Sequence, residues 1–428
     1  MNKLIKIVMV VTALLLVLPK YIGSLVETEH QNTLDKLSKN PVIEIKEKNF
    51  ISHWFSGLAT TEMVILLQDN TLEDLTLVIE ETLSFGPIIF ADDGLHFGLS
   101  HSRAHLNFKN IEALDPDLKE LIKDKIHLSS LFTFSKNVIV TLVVDEVLST
   151  RRANEMHFKP VNSEFTITRD NRMYGNFHWA GLSFKANEEG IKVGEVSFNV
   201  DQTLIDGSYY DGTAITVGEF DFVIGSLVTT DSITNQPLTL ESMSFKGTSN
   251  VVENQLKIAL NYHIDTIDSF EHKLSNVNLD VEVDSLGLEA VKSLNEFLSN
   301  SSADANELMT PENMQKLGAI IEKLLSSGPS ITVSDLSVET AQGNILSTGS
   351  LKVDQALYVP TNPMSLLQAL QVDVTAEAPE KYIQKLGLLP AANQYVEQGL
   401  LLKENNKLTT KVDFSKGKLT VNSIVIPL

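Results

Sequence analysis

The stretch DDGLHFGLSHSRAH places His96, His101 and His105 within ten residues, beside Asp92 and Asp93. Imidazoles and carboxylates are the side chains that bind divalent metals or move protons near neutral pH. The spacing argues against a metal here. On a strand, His101 and His105 share a face and His96 lies on the opposite one. The helical H-E-x-x-H arrangement, two ligands one turn apart with a general base, is absent. Polar strand residues are the better account. His53-Trp54 and His178-Trp179 form two similar pairs; a Trp in a strand is more often a core or rim residue than a ring presented at a groove. Asp201, Asp206 and Asp211 recur every five residues around Gly207 and Gly212. That is not the spacing of a calcium loop and reads as solvated turns. No nucleophile elbow, phosphate loop, dinucleotide glycine set or paired-acid motif occurs. The expectation is therefore no catalytic residue, no metal and no cofactor, in a protein that is not an enzyme.

The bulk composition bounds the rest. The chain has 428 residues, 43% hydrophobic and 21% charged, enough for two or three cores at about 100–200 residues per domain. A formal net charge of −21 and the lack of a Lys/Arg run exclude a nucleic-acid partner, which needs a positive face to displace counterions. An acidic surface is not drawn to anionic headgroups either. With no cysteine, disulfides, thiolate catalysis, Cys-based zinc sites and bacterial lipoprotein anchoring all fall away.

At the N-terminus, Lys3 and Lys6 precede an apolar run from Ile7 to Leu18, which resumes at Tyr21 and Ile22 after Pro19 and Lys20. A cleaved signal peptide needs small residues before its cleavage site. The best small pair, Gly23-Ser24, has Tyr21 and Ile22 before it. An uncleaved signal-anchor fits better, with Lys20 snorkelling and Tyr21 in the aromatic belt. Its lipid-facing residues are expected to be Ile7, Val8, Val11, Leu14, Leu15, Leu18, Tyr21 and Ile22. Two lysines ahead of the run keep its start in the cytoplasm. The bulk of the chain then lies in the periplasm, held at the inner membrane by a single pass.

Beyond the anchor (1–26), residues 27–40 read as a helical continuation or tether. From VIEIKEKNFISHWF onward, period-two alternation predicts an antiparallel β-rich region over 41–284, interrupted by a short helix from Asp115-Pro116 to Lys125. Leu288, Val291, Leu294 and Leu298, then Met314, Leu317, Ile321, Leu324 and Leu325, take helical spacing. They predict a helical pair over 285–328. Residues 329–428 return to strands around a second helical pair, PEKYIQKLGLLP and ANQYVEQGLLLKEN, and close with a hairpin through Lys416-Gly417. Helices grouped apart from antiparallel strands indicate α+β, β-dominated architecture. Long curved antiparallel sheets of repeated hairpins, two helical pairs and one N-terminal transmembrane helix make it up.

One eight-residue phrase recurs: IKVGEVSF from Ile191, ITVGEFDF from Ile215, LTLESMSF from Leu238, ITVSDLSV from Ile331 and LTVNSIVI from Leu419. Apolar residues stand at its places one, three, six and eight. A flat strand cannot keep all four on one face, because side chains alternate. One extra residue at the small or polar middle pair restores the face, as a β-bulge does. The phrase therefore reads as a bent strand over an apolar face, with Val193, Phe198, Val217, Phe222, Leu240, Phe245, Val333 and Val338 as face residues.

The lysine-flanked anchor, NFISHWFSGLATTEMVI (Asn49 to Ile65), SFGPI (Ser84 to Ile88), FHWAGLSF, PSITVSDLSVETAQGN and the closing LTTKVDFSKGKLTVNS occur in an order that resembles the YdgA/YihF family of bacterial envelope proteins. The resemblance spans essentially the whole chain. That family carries His-Gly-Pro where this chain has Phe85-Gly86-Pro87, and usually a Gly where it has Ser423; the first departure speaks against a catalytic role there. The resemblance implies an inner-membrane-anchored periplasmic protein and brings no established reaction. Two functions stay open. A curved sheet with one apolar face suits a lipid or other apolar ligand. A tethered acidic protein without a site suits a scaffold docking other envelope proteins.

Overall fold

The computed structural model describes residues 3–66, 74–91, 94–109, 125–151, 154–186, 189–230, 237–269, 272–300, 310–362 and 364–427. The expected helix from Asp115 to Lys125 lies outside them, save for its last residue, as do Asp92 and Asp93. Strands dominate and the pairings are antiparallel. The chain divides into two units. The first holds 1–183, 199–216 and 299–303; the second holds 184–198, 217–298 and 304–428. The expected segmentation followed element type instead. Hydrogen bonding ignores that boundary, because the strand before the helical pair joins the strand after it, Val283 opposite Ile331.

In the first unit, helix α1 (Lys3–Leu37) runs unbroken through Pro19. It is followed by β1 (Ile43–Ser52), β2 (Ser56–Ile65), β3 (Leu75–Phe85), β4 (Ile88–Ala91), β5 (Gly94–Phe97), β6 (Ser100–Phe108), β7 (Ile126–Phe132), β8 (Val138–Val144), β9 (Val147–Arg151), β10 (Asn154–Phe158), β11 (Val161–Ile167) and β12 (Arg172–Trp179). The ladder runs β1-β2-β3-β6-β7-β8-β11-β12, with β4-β5 and β9-β10 as inserted hairpins. Alternation sorts Ala59, Leu83 and Phe85 onto one face, where α1 lays Ile22 and Val26. Ile22 is 4% exposed and Phe85 3%. The close approach depends on Gly23, whose missing Cβ would stand 2.7 Å from the Phe85 ring. The region expected as a tether therefore packs: Leu34 is buried, and His30 Nε2 lies 2.9 Å from the Glu81 carboxylate.

Among the described residues no helix is long and apolar enough to cross a membrane. The side chains of residues 1–15 lie outside the described set, and with them Ile7, Val8, Val11, Leu14 and Leu15. Of the remaining expected anchor residues, Leu18 packs beside the core, Ile22 is inside it, and Tyr21 is exposed.

The chain passes between the units through β13 (Leu182–Ala186), β14 (Glu189–Val193) and β15 (Val196–Asp206). The second unit is built on β16 (Ile215–Thr230), β17 (Pro237–Val252), β18 (Gln255–Ser269) and β19 (His272–Gly287), three of them 16 residues long and β18 15. Helices α2 (Leu288–Asn300) and α3 (Pro311–Ser326) follow, then β20 (Ser330–Thr340), β21 (Gly343–Val353), the short α4 (Ser365–Ala369), β22 (Leu370–Pro379), α5 (Glu380–Lys385), α6 (Leu389–Glu397), β23 (Leu402–Glu404), β24 (Lys407–Ser415), β25 (Lys418–Val421) and β26 (Ile424–Ile426). Both expected helical pairs are present, and α4 is additional. Thr310 caps α3 with Pro311 in its first turn, and Gly328 ends it at φ 70°, as cap and stop residues should. The ladder is β14-β16-β17-β18-β19-β20-β21-β22-β24-β25-β26, with β23 also on β24.

Candidate functional site

The copies of the bent-strand phrase do not share one structure. In its first copy the strand breaks at Gly194-Glu195. There Gly194 N–H donates to Ser226 O, and Gly225 N–H donates to Glu195 O. The third copy bends at Ser242, φ 51°. These belong to one line of irregular positions across neighbouring strands: Gly225 on β16, Ser242 on β17, Asp265 on β18 and Asn276 (φ 47°) on β19, each skipped in the regular pairing. The fourth copy carries an extra residue between Val333 and Leu336, against Gly349 and Ser347 of β21. In the second copy Gly218 takes φ 137°. The fifth is a hairpin: Asn422 and Ser423 both have positive φ and join β25 to β26, the geometry of a primed turn.

The consequence is a single apolar face. Directly opposed residues of antiparallel strands share a side. One row reads Phe222, Phe245, Tyr262, Leu279, Leu336 from β16 to β20. A second reads Ile258, Val283, Ile331, Leu351, Val372, Phe414, Leu419 from β18 to β25. Between them lie Leu260, Val281 and Val333. Beyond the line of bends, Leu227, Leu240, Ile267 and Leu274 continue the same side. No Asp, Glu, Lys or Arg falls on these rows among the described residues. From β16 to β25 the face spans roughly 35–40 Å, at about 4.8 Å per strand.

The structure brings most of the sequence-derived face residues together. Phe222 opposes Phe245, Leu240 and Val193 both oppose Leu227, Val333 opposes Val281, and Val338 opposes Ile345. Val217 precedes the first residue of β16 that pairs with β17, and Phe198 lies on β15. Sequence reading missed the larger part of the face on β18, β19, β22 and β24. Plain alternation in NQLKIALNYHIDTI carried that signal.

The face is not closed by the unit's own helices. Ile331 is 42% exposed and Leu336 41%. Most of its other residues are half-buried, although Leu256, Ile264, Val353 and Leu408 are buried. Helix α3 is tied at the end of the sheet, where Ser327 Oγ–H donates to Ser285 O and accepts from Gly287 N–H.

The opposite side of the same sheet carries the charge. Lys257 Nζ stands 2.7 Å from Glu282 and 3.4 Å from Asp284, and those carboxylates raise its pKa. Lys246 meets Asp221, Lys407 meets Glu377 and Lys411 meets Asp373. His263 bonds Asp265 (2.6 Å) and Asn278 (2.6 Å), and both raise its pKa, Asp265 first. Among the described residues, the charged pairs of this sheet therefore lie on one side and the apolar rows on the other.

The histidine stretch sits in the first unit. His101, Arg103 and His105 share one side of β6, opposite Ser84, Thr82 and Glu80 of β3. The β4-β5 hairpin folds over that side, so His96 stacks on buried His101 at 4.4 Å. A cleft of about 610 Å³ is lined by these residues with His127, Ser129 and Phe90. Arg103, the imidazoles of His101, His105 and His127 and the Glu80 carboxylate make this cleft polar. Among the described residues no group of three or more potential ligands is placed to hold a metal ion. The remaining sequence candidates are structural. Asp201 pairs with Arg172, which lowers its pKa; Asp206 accepts from Gly207 N–H; Asp211 accepts from Thr213, whose hydroxyl lowers the pKa of Asp211. Trp179 packs against Phe158, and Trp54 is exposed at the β1-β2 turn.

A family model described as bacterial protein of unknown function (DUF945) matches residues 1–428, and the chain belongs to that family. No curated protein matches the chain.

Proposed function

We propose that this member of the DUF945 family is a non-enzymatic envelope protein, grouped with the YdgA/YihF proteins. It is anchored in the inner membrane by the apolar run that begins at Ile5 and ends before the residues α1 gives to the core, Leu18, Ile22 and Val26, and the rest of the chain is exposed to the periplasm. Its second unit holds the acyl chains of a lipid on the apolar face of β16–β25. One observation carries this reading. An uncharged face about 35–40 Å long is left half-exposed by its own helices, while Lys246–Asp221, Lys257–Glu282, Lys407–Glu377 and Lys411–Asp373 pair on the other side. Water against such a face costs about 25 cal/mol per Å² of apolar area, so an apolar ligand is favoured there. A hydrocarbon leaflet is about 15 Å thick, half of the bilayer core, so the face accommodates a full acyl chain.

The test is native mass spectrometry of the full chain extracted gently from membranes. The expected result is a lipid-bound species that delipidation removes and that Leu260→Asp or Val281→Asp depletes several-fold. A clean apo chain from lipid-containing extracts would overturn the reading and favour the alternative, a scaffold docking other envelope proteins.

A further inference from the structure

The end of the first unit where α1 meets the sheet collects exposed aromatic residues from three separate segments. On α1, Tyr21 is 70% exposed, beside Val17. The β1-β2 turn adds Trp54 and Phe55, both half in solvent. The β4-β5 hairpin adds Phe97 and Phe90, the latter 82% exposed. The three segments are fastened to each other. Trp54 Nε1–H donates to the Leu16 carbonyl at 2.6 Å. Phe85 N–H, at the end of β3, donates to Phe55 O at 2.8 Å. Pro19 of α1 lines one groove with Phe55, Pro87 and Phe90.

Exposing this many large rings at one end is costly in water. Their types are those that settle at a membrane–water interface, where an amphipathic ring meets headgroups and apolar chain ends. Their position names the partner. The helix that passes through the patch is the one whose residues 7–18 are apolar except for Thr12. Lys20, exposed in its midst, supplies the cation that interfacial segments carry. We infer that this end of the first unit is a seat on the bilayer surface. Trp54, Phe55, Phe90 and Phe97 rest in the headgroup region around the emerging helix, so the unit is held against the membrane and does not swing on a free tether. The inference rests on the anchor part of the proposed function and adds an orientation to it.

The chain has two tryptophans, so Trp179→Phe leaves Trp54 as the sole reporter. The full-length variant is placed in phosphatidylcholine vesicles whose acyl chains are brominated either near the headgroup or near the bilayer centre. Trp54 emission is expected to shift to the blue and to be quenched, more by the shallow bromines. The complementary Trp54→Phe protein, reporting from Trp179, is expected to stay unquenched. Phe90→Ser combined with Phe97→Ser, both at exposed positions, should weaken the quenching of Trp54. A protein that floats with the vesicles while Trp54 stays unquenched overturns the seat and leaves the anchor standing. A full chain that does not float overturns both. Equal quenching of Trp54 and Trp179 also overturns the seat.

Discussion

Two stretches of β-sheet, one in each unit, are built from the same alternating pattern and end differently. In the first unit, the face bearing Ala59, Leu83 and Phe85 is closed by α1, and its residues fall to a few per cent exposure. In the second, among the described residues, no helix is laid along the face bearing Phe222, Tyr262, Val281 and Ile331, and most of its residues stay half-exposed. The difference lies in where the helices attach. Helix α1 has Gly23 at the crossing, which lets it approach the Phe85 ring. Helix α3 is fixed at a sheet end through Ser327. A closed face gains stability from burial; an open one leaves that gain unrealised.

The sharpest way to break the comparison is to place a charge on each face. Ile22→Asp should cost on the order of 5 kcal/mol, because the carboxylate is buried without a partner. Leu260→Asp should cost roughly 1–2 kcal/mol, since water reaches a half-exposed face. Urea unfolding of each full-length variant measures both, and equal costs would mean the second face is as closed as the first.

Truncation gives a smaller version of the same contrast. Phe85→Ala should destabilise the first unit by about 3–5 kcal/mol through loss of burial plus a cavity. Phe222→Ala should cost less than half of that while reducing bound lipid. Thermal unfolding with and without lipid separates the two.

The line of bends predicts a third effect. Asn276 sits at φ 47°, where a β-branched residue is strained by about 1–2 kcal/mol and glycine is not. Asn276→Val should therefore lower the unfolding midpoint, and Asn276→Gly should leave it nearly unchanged. A tolerated valine would remove the bend as a structural requirement.

The smallest expected effect is a pH dependence on the charged side of the second sheet. The folded pKa of His263 is raised by Asp265 and then Asn278. Its stabilisation is fully present below the unfolded value, about 6.5, and disappears as pH rises through the folded value. The difference in unfolding free energy between the wild type and His263→Gln should shrink by well under 1 kcal/mol, as for a partly exposed pair, as pH rises from below about 6.5 through the folded value. A difference that grows with pH would contradict the assignment.

Much of the second sheet was legible in the chain because alternation is a local signal. ITVSDLSV announces its bulge through a parity change that any reader can count, and Thr310-Pro311 with Gly328 announce the limits of α3. The fifth copy, LTVNSIVI, shows the limit of that reading. The same apolar places fit a bend or a two-residue turn, and only the positive φ at both Asn422 and Ser423 separates them. In the histidine stretch, His101 and His105 share a face as strand geometry requires. The stacking of His96 on His101 depends on the β4-β5 hairpin folding back, which no local pattern encodes.

Sequence alone determined the β-dominated α+β class, the two helical pairs, the acidic, cysteine-free composition and the existence of one-faced apolar strands. These follow from periodicity and capping, which act within a few residues. Tertiary structure decided which face is covered. It put Ile22 and Val26 into a core with Phe85, carried the second sheet across the helical pair through Val283 and Ile331, and left the long face from Phe222 to Leu419 open. Covering is a matter of where a helix attaches and how closely it can approach, and contacts between residues far apart in the chain set both.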